Sequence, residues 1–198
     1  MKKNYLTLSL LLLMALNAHA QKNEEYNPTK VDVSLGYAKP SGAGAKVGGL
    51  FAVEPKYEII RNLCIGLRIE IAIMARGVDN ANNSSDLEIK GSGSYLLTGD
   101  YYLSNKRSFR PFLGGGVGFF RLAAGTTANN SGDVASATKF GEMVRAGIEL
   151  GHFRLGAEYN FVPDADLALN GSSGNKVTFK NSYMGIKIGV CFGGNKKK

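Results

Sequence analysis

The segment LCIGLRIEIAIMA, residues 63–75, determines which fold this chain can adopt. Leucine or isoleucine occupies every second position from Leu63 to Ile73, and the positions between them hold small or charged residues, among them Arg68 and Glu70. A helix repeats every 3.6 residues and could not keep these side chains on one face, whereas a β-strand turns successive side chains to opposite faces. The segment therefore predicts a strand with one wholly apolar face.

The same alternation recurs in seven further segments, which makes the chain an all-β protein. In each segment, apolar residues at every second position oppose glycine, polar or charged residues. Short period-2 runs separated by turn-forming residues are typical of strands. The predicted additional strands cover residues 29–38, 49–59, 87–103, a run that follows Pro111, 140–150, 153–161 and 182–192.

The connections between these strands alternate in length. Short turns are predicted at residues 60–62, 104–109 and 151–152, and long polar loops at residues 39–47, 76–86, 123–139 and 162–181. An even number of strands with strictly alternating short and long connections is the pattern of an antiparallel up-and-down barrel. Both termini of the barrel domain should then lie on the side of the short turns.

Alternation alone leaves open which face of the barrel points outward. A soluble eight-stranded binding barrel would place the apolar residues inside, around a ligand. The strands are long enough to cross a bilayer when tilted, and the opposite face mixes glycine with charges of both signs. Aromatic residues also gather near the strand ends, where membrane barrels carry their girdles: Tyr37, Tyr57, Tyr101, Phe153, Phe161 and Phe192. The favoured fold is an eight-stranded antiparallel up-and-down transmembrane β-barrel.

The N-terminus has the features of an export signal. Lysines at positions 2 and 3 precede an apolar stretch at residues 6–16, and Ala18-His19-Ala20 forms a small-residue cleavage site. The apolar stretch is too short to anchor the chain in a bilayer. We therefore expect residues 1–20 to be a cleaved signal peptide, and residues 21–198 to form one outer-membrane barrel domain with a short basic tail at its C-terminus.

Composition and side-chain inventory argue against several functions. The formal net charge is +8, but lysine and arginine are spread along the chain rather than clustered, which is unlike a nucleic-acid footprint. Outside the signal the chain has one histidine, His152, in a predicted turn. One histidine cannot supply the convergent partners that a catalytic relay or a metal cluster needs. We expect no enzymatic activity, no cofactor, no metal and no nucleic-acid partner.

The two cysteines, Cys64 and Cys191, both fall on the inward face of their strands. Those strands are three positions apart around the barrel, at about 4.8 Å per position. A disulfide requires Cβ atoms about 4 Å apart, so free thiols are expected.

Charged residues on the inward face form the candidate functional site. Five cations (Lys56, Arg68, Arg145, Arg154, Lys187) face seven anions (Asp32, Glu54, Glu58, Glu70, Asp100, Glu149, Glu158). Charges inside a narrow barrel are costly unless paired, and eight strands enclose a space that side chains can fill. The expected result is a plugged lumen. The members proposed for this lumen charge network are Lys56, Arg68, Glu70, Asp100, Arg145, Glu149, Arg154, Glu158 and Lys187.

Three motifs, RPFLGGGVGFF (residues 110–120), LGAEYNF (155–161) and SYMGIKIGVCF (182–192), resemble small outer-membrane barrels of the porin family, of the OmpA and OmpX type. This resemblance spans nearly all of residues 21–198 and implies outer-membrane lipid, lipopolysaccharide and the barrel-assembly machinery as partners. It also implies several possible roles. These are envelope support or adhesion through the long loops, with an extracellular ligand; passage of small hydrophobic molecules through a lateral opening near the fifth strand; and lipid modification. The last role is disfavoured because no histidine lies on the loop side.

Overall fold

A computed structural model describes residues 28–41, 45–79, 85–104, 106, 108–126, 134–167, 177–179 and 181–194. The predicted signal peptide and the last residues of the basic tail lie outside these ranges. The described residues contain ten strands: β1 Thr29–Pro40, β2 Ala45–Ile60, β3 Leu63–Asp79, β4 Ser85–Tyr102, β5 Arg110–Thr126, β6 Val134–Leu150, β7 Phe153–Phe161, β8 Ala165–Leu167, β9 Val177–Phe179 and β10 Tyr183–Gly193. In the ranges given, no helix is both long and apolar enough to cross a membrane.

Eight of the strands close into one antiparallel barrel in the order β1-β10-β7-β6-β5-β4-β3-β2. Consecutive barrel strands are neighbours, and β1 pairs with both β2 and β10, which closes the sheet. The strands β8 and β9 form a separate hairpin in the connection between β7 and β10. The prediction of an eight-stranded antiparallel up-and-down barrel is confirmed.

The apolar face of the barrel wall points outward. Leu35, Ile71 and Phe153 are 60%, 57% and 63% exposed, whereas inward-facing Arg68 is 1% exposed. A soluble binding barrel would have its apolar side chains inside. The exposed apolar outer face of this barrel therefore indicates that lipid surrounds it. All six aromatic residues predicted to form the girdles are exposed on the outer surface: Tyr37, Tyr57, Tyr101, Phe153, Phe161 and Phe192.

One end of the barrel carries the short connections, as the sequence predicted. The β2–β3 and β6–β7 connections are two residues each, and the β4–β5 connection runs from Leu103 to Phe109. Gly151 has a φ of 62°, a left-handed conformation that glycine adopts easily in a tight hairpin. The ends of β1 and β10 meet on the same side, where the Gly194 amide donates to the Thr29 carbonyl over 3.1 Å. We call this side the turn end and the opposite side the loop end.

The predicted loop boundaries were wrong, because the strands continue beyond the barrel wall at the loop end. The β3–β4 pairing reaches Asp79 and Ser85, and the β5–β6 pairing reaches Gly125 and Val134. Likewise β1 runs to Pro40, β2 begins at Ala45, and the segment predicted as the last loop contains β8 and β9. Outside the membrane both faces of a hairpin can contact water. Backbone ladders can therefore persist there without the apolar alternation that the sequence reading required.

Candidate functional site: the charged lumen

Fourteen charged side chains are buried on the inner face of the described barrel, and their formal charges cancel. Seven are cations and seven are anions: Lys30, Lys56, Arg68, Arg110, Arg145, Arg154, Lys187, Asp32, Glu54, Glu58, Glu70, Asp100, Glu149 and Glu158. Sequence reasoning identified twelve of them and missed Lys30 and Arg110, which explains the apparent excess of acids. Lys30 could have been found, because it shares the parity of Asp32 in β1. Arg110 is the first residue of β5, and it lies just before Pro111, after which the sequence predicts the fifth strand to begin.

Ten of these residues form one neutral cluster, which we call the turn-side network: Lys30, Asp32, Glu54, Lys56, Glu58, Asp100, Arg110, Arg145, Glu149 and Arg154. Asp100 lies at its centre. Its carboxylate accepts from Lys56 Nζ at 3.1 Å, from Arg145 Nε at 2.7 Å and from Arg154 Nη2 at 2.7 Å. Three cations from three other strands therefore converge on one acid, and this holds the opposite sides of the barrel together.

Arg145 joins Asp100 to Glu54. Its Nη1 and Nη2 atoms each donate to a different Glu54 carboxylate oxygen over 2.7 Å, in addition to the bond from Nε to Asp100. Glu54 also accepts from the Thr98 hydroxyl at 2.6 Å. Bidentate arginine–carboxylate pairs are strong and fix the geometry of both groups, so Arg145 is held firmly between the two acids.

Glycine makes room for this arrangement. A Cβ atom added to Gly114 would lie 2.2 Å from Asp100 Oδ1 and 3.1 Å from Arg145 Nε. At Gly66, an added Cβ would lie 2.9 Å from the Thr98 hydroxyl oxygen. Several inward-facing glycines are therefore required for space, since larger residues there would collide with the paired side chains.

Aromatic rings accompany the network near the turn end. The Tyr102 hydroxyl donates to Glu149 over 2.7 Å, and the Arg110 guanidinium lies 3.9 Å from the centre of the Tyr102 ring. The Arg154 guanidinium lies 3.6 Å from the centre of the Phe112 ring. Such cation–ring contacts partly replace the water that these arginines lose on burial. Cys64 packs with the two rings and has a free thiol.

The other four charged residues, Arg68, Glu70, Glu158 and Lys187, form a second neutral cluster that we call the loop-side network. Arg68 donates to both Glu158 oxygens, at 2.5 and 2.6 Å, and also to Glu70. Lys187 Nζ lies 2.8 Å from Glu158. The Tyr183 hydroxyl, reaching across from β10, donates to Glu70 over 2.6 Å.

An apolar layer lies in the lumen towards the loop end. Its members are Ala38, Leu50, Ala72, Met74, Leu96, Phe120, Met143, Val162 and Tyr183. The Phe120 and Tyr183 rings meet edge to face with centroids 6.5 Å apart. From the turn end to the loop end, the described lumen therefore contains the turn-side network with its aromatic rings, the loop-side network and an apolar layer, each made of packed side chains.

The structure places all nine sequence-predicted site residues in the lumen and divides them between the two networks. Lys56, Asp100, Arg145, Glu149 and Arg154 belong to the turn-side network, and the other four constitute the loop-side network. No ion pair links the two groups within the described part of the chain. Parity predicts which side chains face inward, but partners come from strands across the lumen, so the sequence could not show this division.

The remaining candidate residues, His152, Cys64 and Cys191, lie near the turn end of the barrel. His152 is exposed in the β6–β7 turn, and its Nδ1 atom lies 2.9 Å from the Cys191 carbonyl oxygen. Cys191 is buried with a free thiol, like Cys64. The described residues include no group of three or more His, Cys, Asp or Glu residues that could hold a metal ion.

One family model and several solved structures match this chain. The family described as outer membrane protein beta-barrel domain matches residues 8–192. Neisserial surface protein A has a similar structure at 18% identity and a TM-score of 0.53, covering 85% of this chain and 98% of its own. The outer membrane protein OprG from Pseudomonas aeruginosa is 13% identical with a TM-score of 0.50, covering 85% and 98%.

A third solved structure is that of the outer membrane enzyme PagL, which is 13% identical with a TM-score of 0.41 and covers 83% of this chain and 99% of its own. Comparison with curated protein sequences gives no match. At these identities, structural similarity describes the fold.

Proposed function

Because the chain belongs to the outer-membrane β-barrel domain family and is located in the outer membrane, we propose that it is a non-enzymatic barrel with a closed lumen. In this proposal the protein supports the integrity of the envelope and presents its loop end to the exterior. The observation that carries the proposal is the complete pairing of the fourteen lumen charges.

Complete pairing favours a closed lumen over a channel. Each of the fourteen residues lies within 4 Å of at least one opposite charge, and no side chain in either network is more than 5% exposed. A conducting pore keeps water beside its charged groups, whereas these groups are neutralised by one another. Eight strands also enclose a space that side chains alone can fill.

The arrangement of reactive groups supports a non-enzymatic role. His152 is at the turn end, and the lumen carboxylates already accept from cations or hydroxyl groups. An enzyme needs a nucleophile or a base positioned beside a substrate site. Among the described residues, the buried acids are paired with cations in the two networks and are not positioned beside a substrate site.

Lipid contact and loop display complete the proposal. The outer wall carries exposed large apolar side chains on all eight barrel strands, which suits contact with the lipid of the outer membrane. At the loop end, the pairing of the β3–β4 and β5–β6 hairpins extends outward, which suits the display of surface loops. Lipopolysaccharide, the assembly machinery and an extracellular ligand remain proposed partners.

A role as a conduit for hydrophobic molecules has less structural support. It would require a lateral opening near the glycine-rich fifth strand. Instead, β5 is paired with β4 up to Thr126 and with β6 from Arg110 to Gly125, without a register break on either side. We therefore do not adopt this role.

A deletion strain tests the proposed function. Loss of envelope support predicts increased sensitivity to detergent and leakage of periplasmic protein, both restored by the wild-type gene. Complementation by a variant in which residues 124–137 are replaced with a tight turn separates the two parts of the proposal, because it keeps the wall but shortens the loop end. Envelope integrity should be restored while surface binding is lost. Unchanged envelope properties in the deletion strain would contradict the support role.

A further inference from the structure

A single carboxylate interrupts the apolar outer wall on β6. Glu142 faces outward and is exposed, and its cross-strand partners are Val117 on β5 and Phe161 on β7. Its outward-facing neighbours along β6 are Phe140 and Val144, which are 55% and 52% exposed. All four side chains nearest to Glu142 on the outer surface are therefore apolar.

This carboxylate has no cation to balance it among the described residues. None of the ion pairs in those ranges includes Glu142. The exposed cation that follows Val117 at the loop end of β5 is Arg121, which pairs with Thr138. Arg121 lies four residues beyond Val117. At about 3.4 Å per residue, this is roughly 14 Å further along β5.

The position of Glu142 is near the outer border of the membrane-facing band. From Leu150 at the turn end of β6, the strand rises about 20 Å to Glu142, at ~3.4 Å per residue and ~40° tilt. The apolar band of such barrels is about 25 Å tall. An ionisable side chain on the lipid-facing wall is a candidate for a specific interaction, even though its cost falls towards the border of the band.

Aromatic rings lie on both sides of the carboxylate. Phe119 and Phe140 meet edge to face with centroids 5.7 Å apart, and Tyr159 and Phe161 do so at 4.7 Å. Ring faces attract cations, and ammonium groups are commonly held by aromatic side chains together with an acid. An anionic or uncharged headgroup would gain nothing from this combination.

We propose that Glu142, flanked by Phe119, Phe140 and Phe161, binds the ammonium group of a lipid in the surrounding bilayer. The carboxylate supplies the opposite charge and the rings supply cation–π contacts. The neighbouring apolar wall contacts the lipid's hydrocarbon part, so the preferred ligand carries its amine close to its apolar body. This site lies on the outer surface and is independent of the closed lumen.

The test uses dodecylamine, protonated at pH 7, and dodecanol as an uncharged probe of equal chain length. Each is titrated into uncharged dodecyl maltoside micelles containing wild-type protein, Glu142→Gln or the control Asp164→Asn, which removes an exposed acid outside the barrel strands. The urea midpoint of unfolding is read from heat-modifiable migration. A ligand that binds the folded barrel raises this midpoint.

Dodecylamine, but not dodecanol, should raise the midpoint of the wild type and of Asp164→Asn. Glu142→Gln should need about fivefold more dodecylamine for the same rise, since it loses the charge contact but keeps the ring contacts. Each variant is compared with itself without probe, so a change in its basal stability does not affect the reading. Equal responses of Glu142→Gln and wild type, or equal effects of the two probes, would overturn the proposal.

A spin-labelled alkylammonium gives a second reading by electron paramagnetic resonance. The immobilised fraction should fall in Glu142→Gln and fall partly in Phe140→Leu, which keeps the carboxylate but removes a ring. An immobilised fraction that is the same in all three proteins would show that the amine does not bind at this position, and would also overturn the proposal.

Discussion

Replacing Arg145 with methionine removes the cation that holds two acids of the turn-side network. Arg145 donates three hydrogen bonds of 2.7 Å to Glu54 and Asp100. Asp100 would keep Lys56 and Arg154, but Glu54 would keep only the Thr98 hydroxyl and Lys56 at 3.8 Å. The cluster would then hold four cations and five anions. Removing one partner of a buried ion pair costs about 3–5 kcal/mol, so we expect the free energy of unfolding to fall by that amount.

The double variant Arg145→Met/Glu54→Gln is the matched control. It restores charge balance, with four cations and four anions, although it loses the same three hydrogen bonds of Arg145; the glutamine amide oxygen can still accept from the Thr98 hydroxyl. If uncompensated charge is the cause, the double variant should lose less than half of the stability that the single variant loses. The assay is reversible urea unfolding in lipid vesicles, followed by heat-modifiable migration. A loss below about 1 kcal/mol for Arg145→Met, or a larger loss for the double variant, would refute this reasoning.

Three further predictions concern the wall, the loop end and the lumen glycines. Ile71→Arg should lower the unfolding free energy in bilayers by about 2–4 kcal/mol, whereas Ala72→Ser on the inner face should cost under about 1 kcal/mol; equal effects in vesicle unfolding would reverse the assigned faces. Shortening residues 124–137 to a tight turn should leave assembly and heat-modifiable migration intact, and failure to assemble would contradict this. Gly114→Val should cost at least about 2 kcal/mol because its side chain meets the charged network, while Gly93→Ala on the open outer face should cost under about 1 kcal/mol; similar values would exclude the space argument.

The sequence predicted the wall of the barrel well because the two faces of the wall lie in different environments. Lipid on one face and a packed lumen on the other force a period of two. Segments such as residues 63–73 therefore reveal both the strand and the direction of each side chain. The same alternation predicted that twelve charged residues face the lumen, without information about which residues they pair with.

The rest depended on information that parity does not carry. Hairpin extensions such as residues 76–79 have no apolar alternation to reveal them, because water replaces lipid beyond the wall. The division of the charges into two neutral networks depends on contacts across the lumen, such as that between Arg68 and Glu158, which are 90 positions apart in the chain. Arg110 lies at the first position of β5, where the boundary of a strand is least clear from sequence, whereas Lys30 lies inside the predicted first strand and its parity with Asp32 could have identified it.

Ion conductance of the reconstituted wild-type protein tests the closed lumen most directly. The protein is inserted into planar bilayers from detergent at neutral pH, and insertion is verified by its heat-modifiable migration. The paired networks and the apolar layer at the loop end predict a baseline without steady conductance steps. Stable, ohmic channels that recur with each insertion would contradict the account, because they would require a continuous water path through the charges that the structure shows paired.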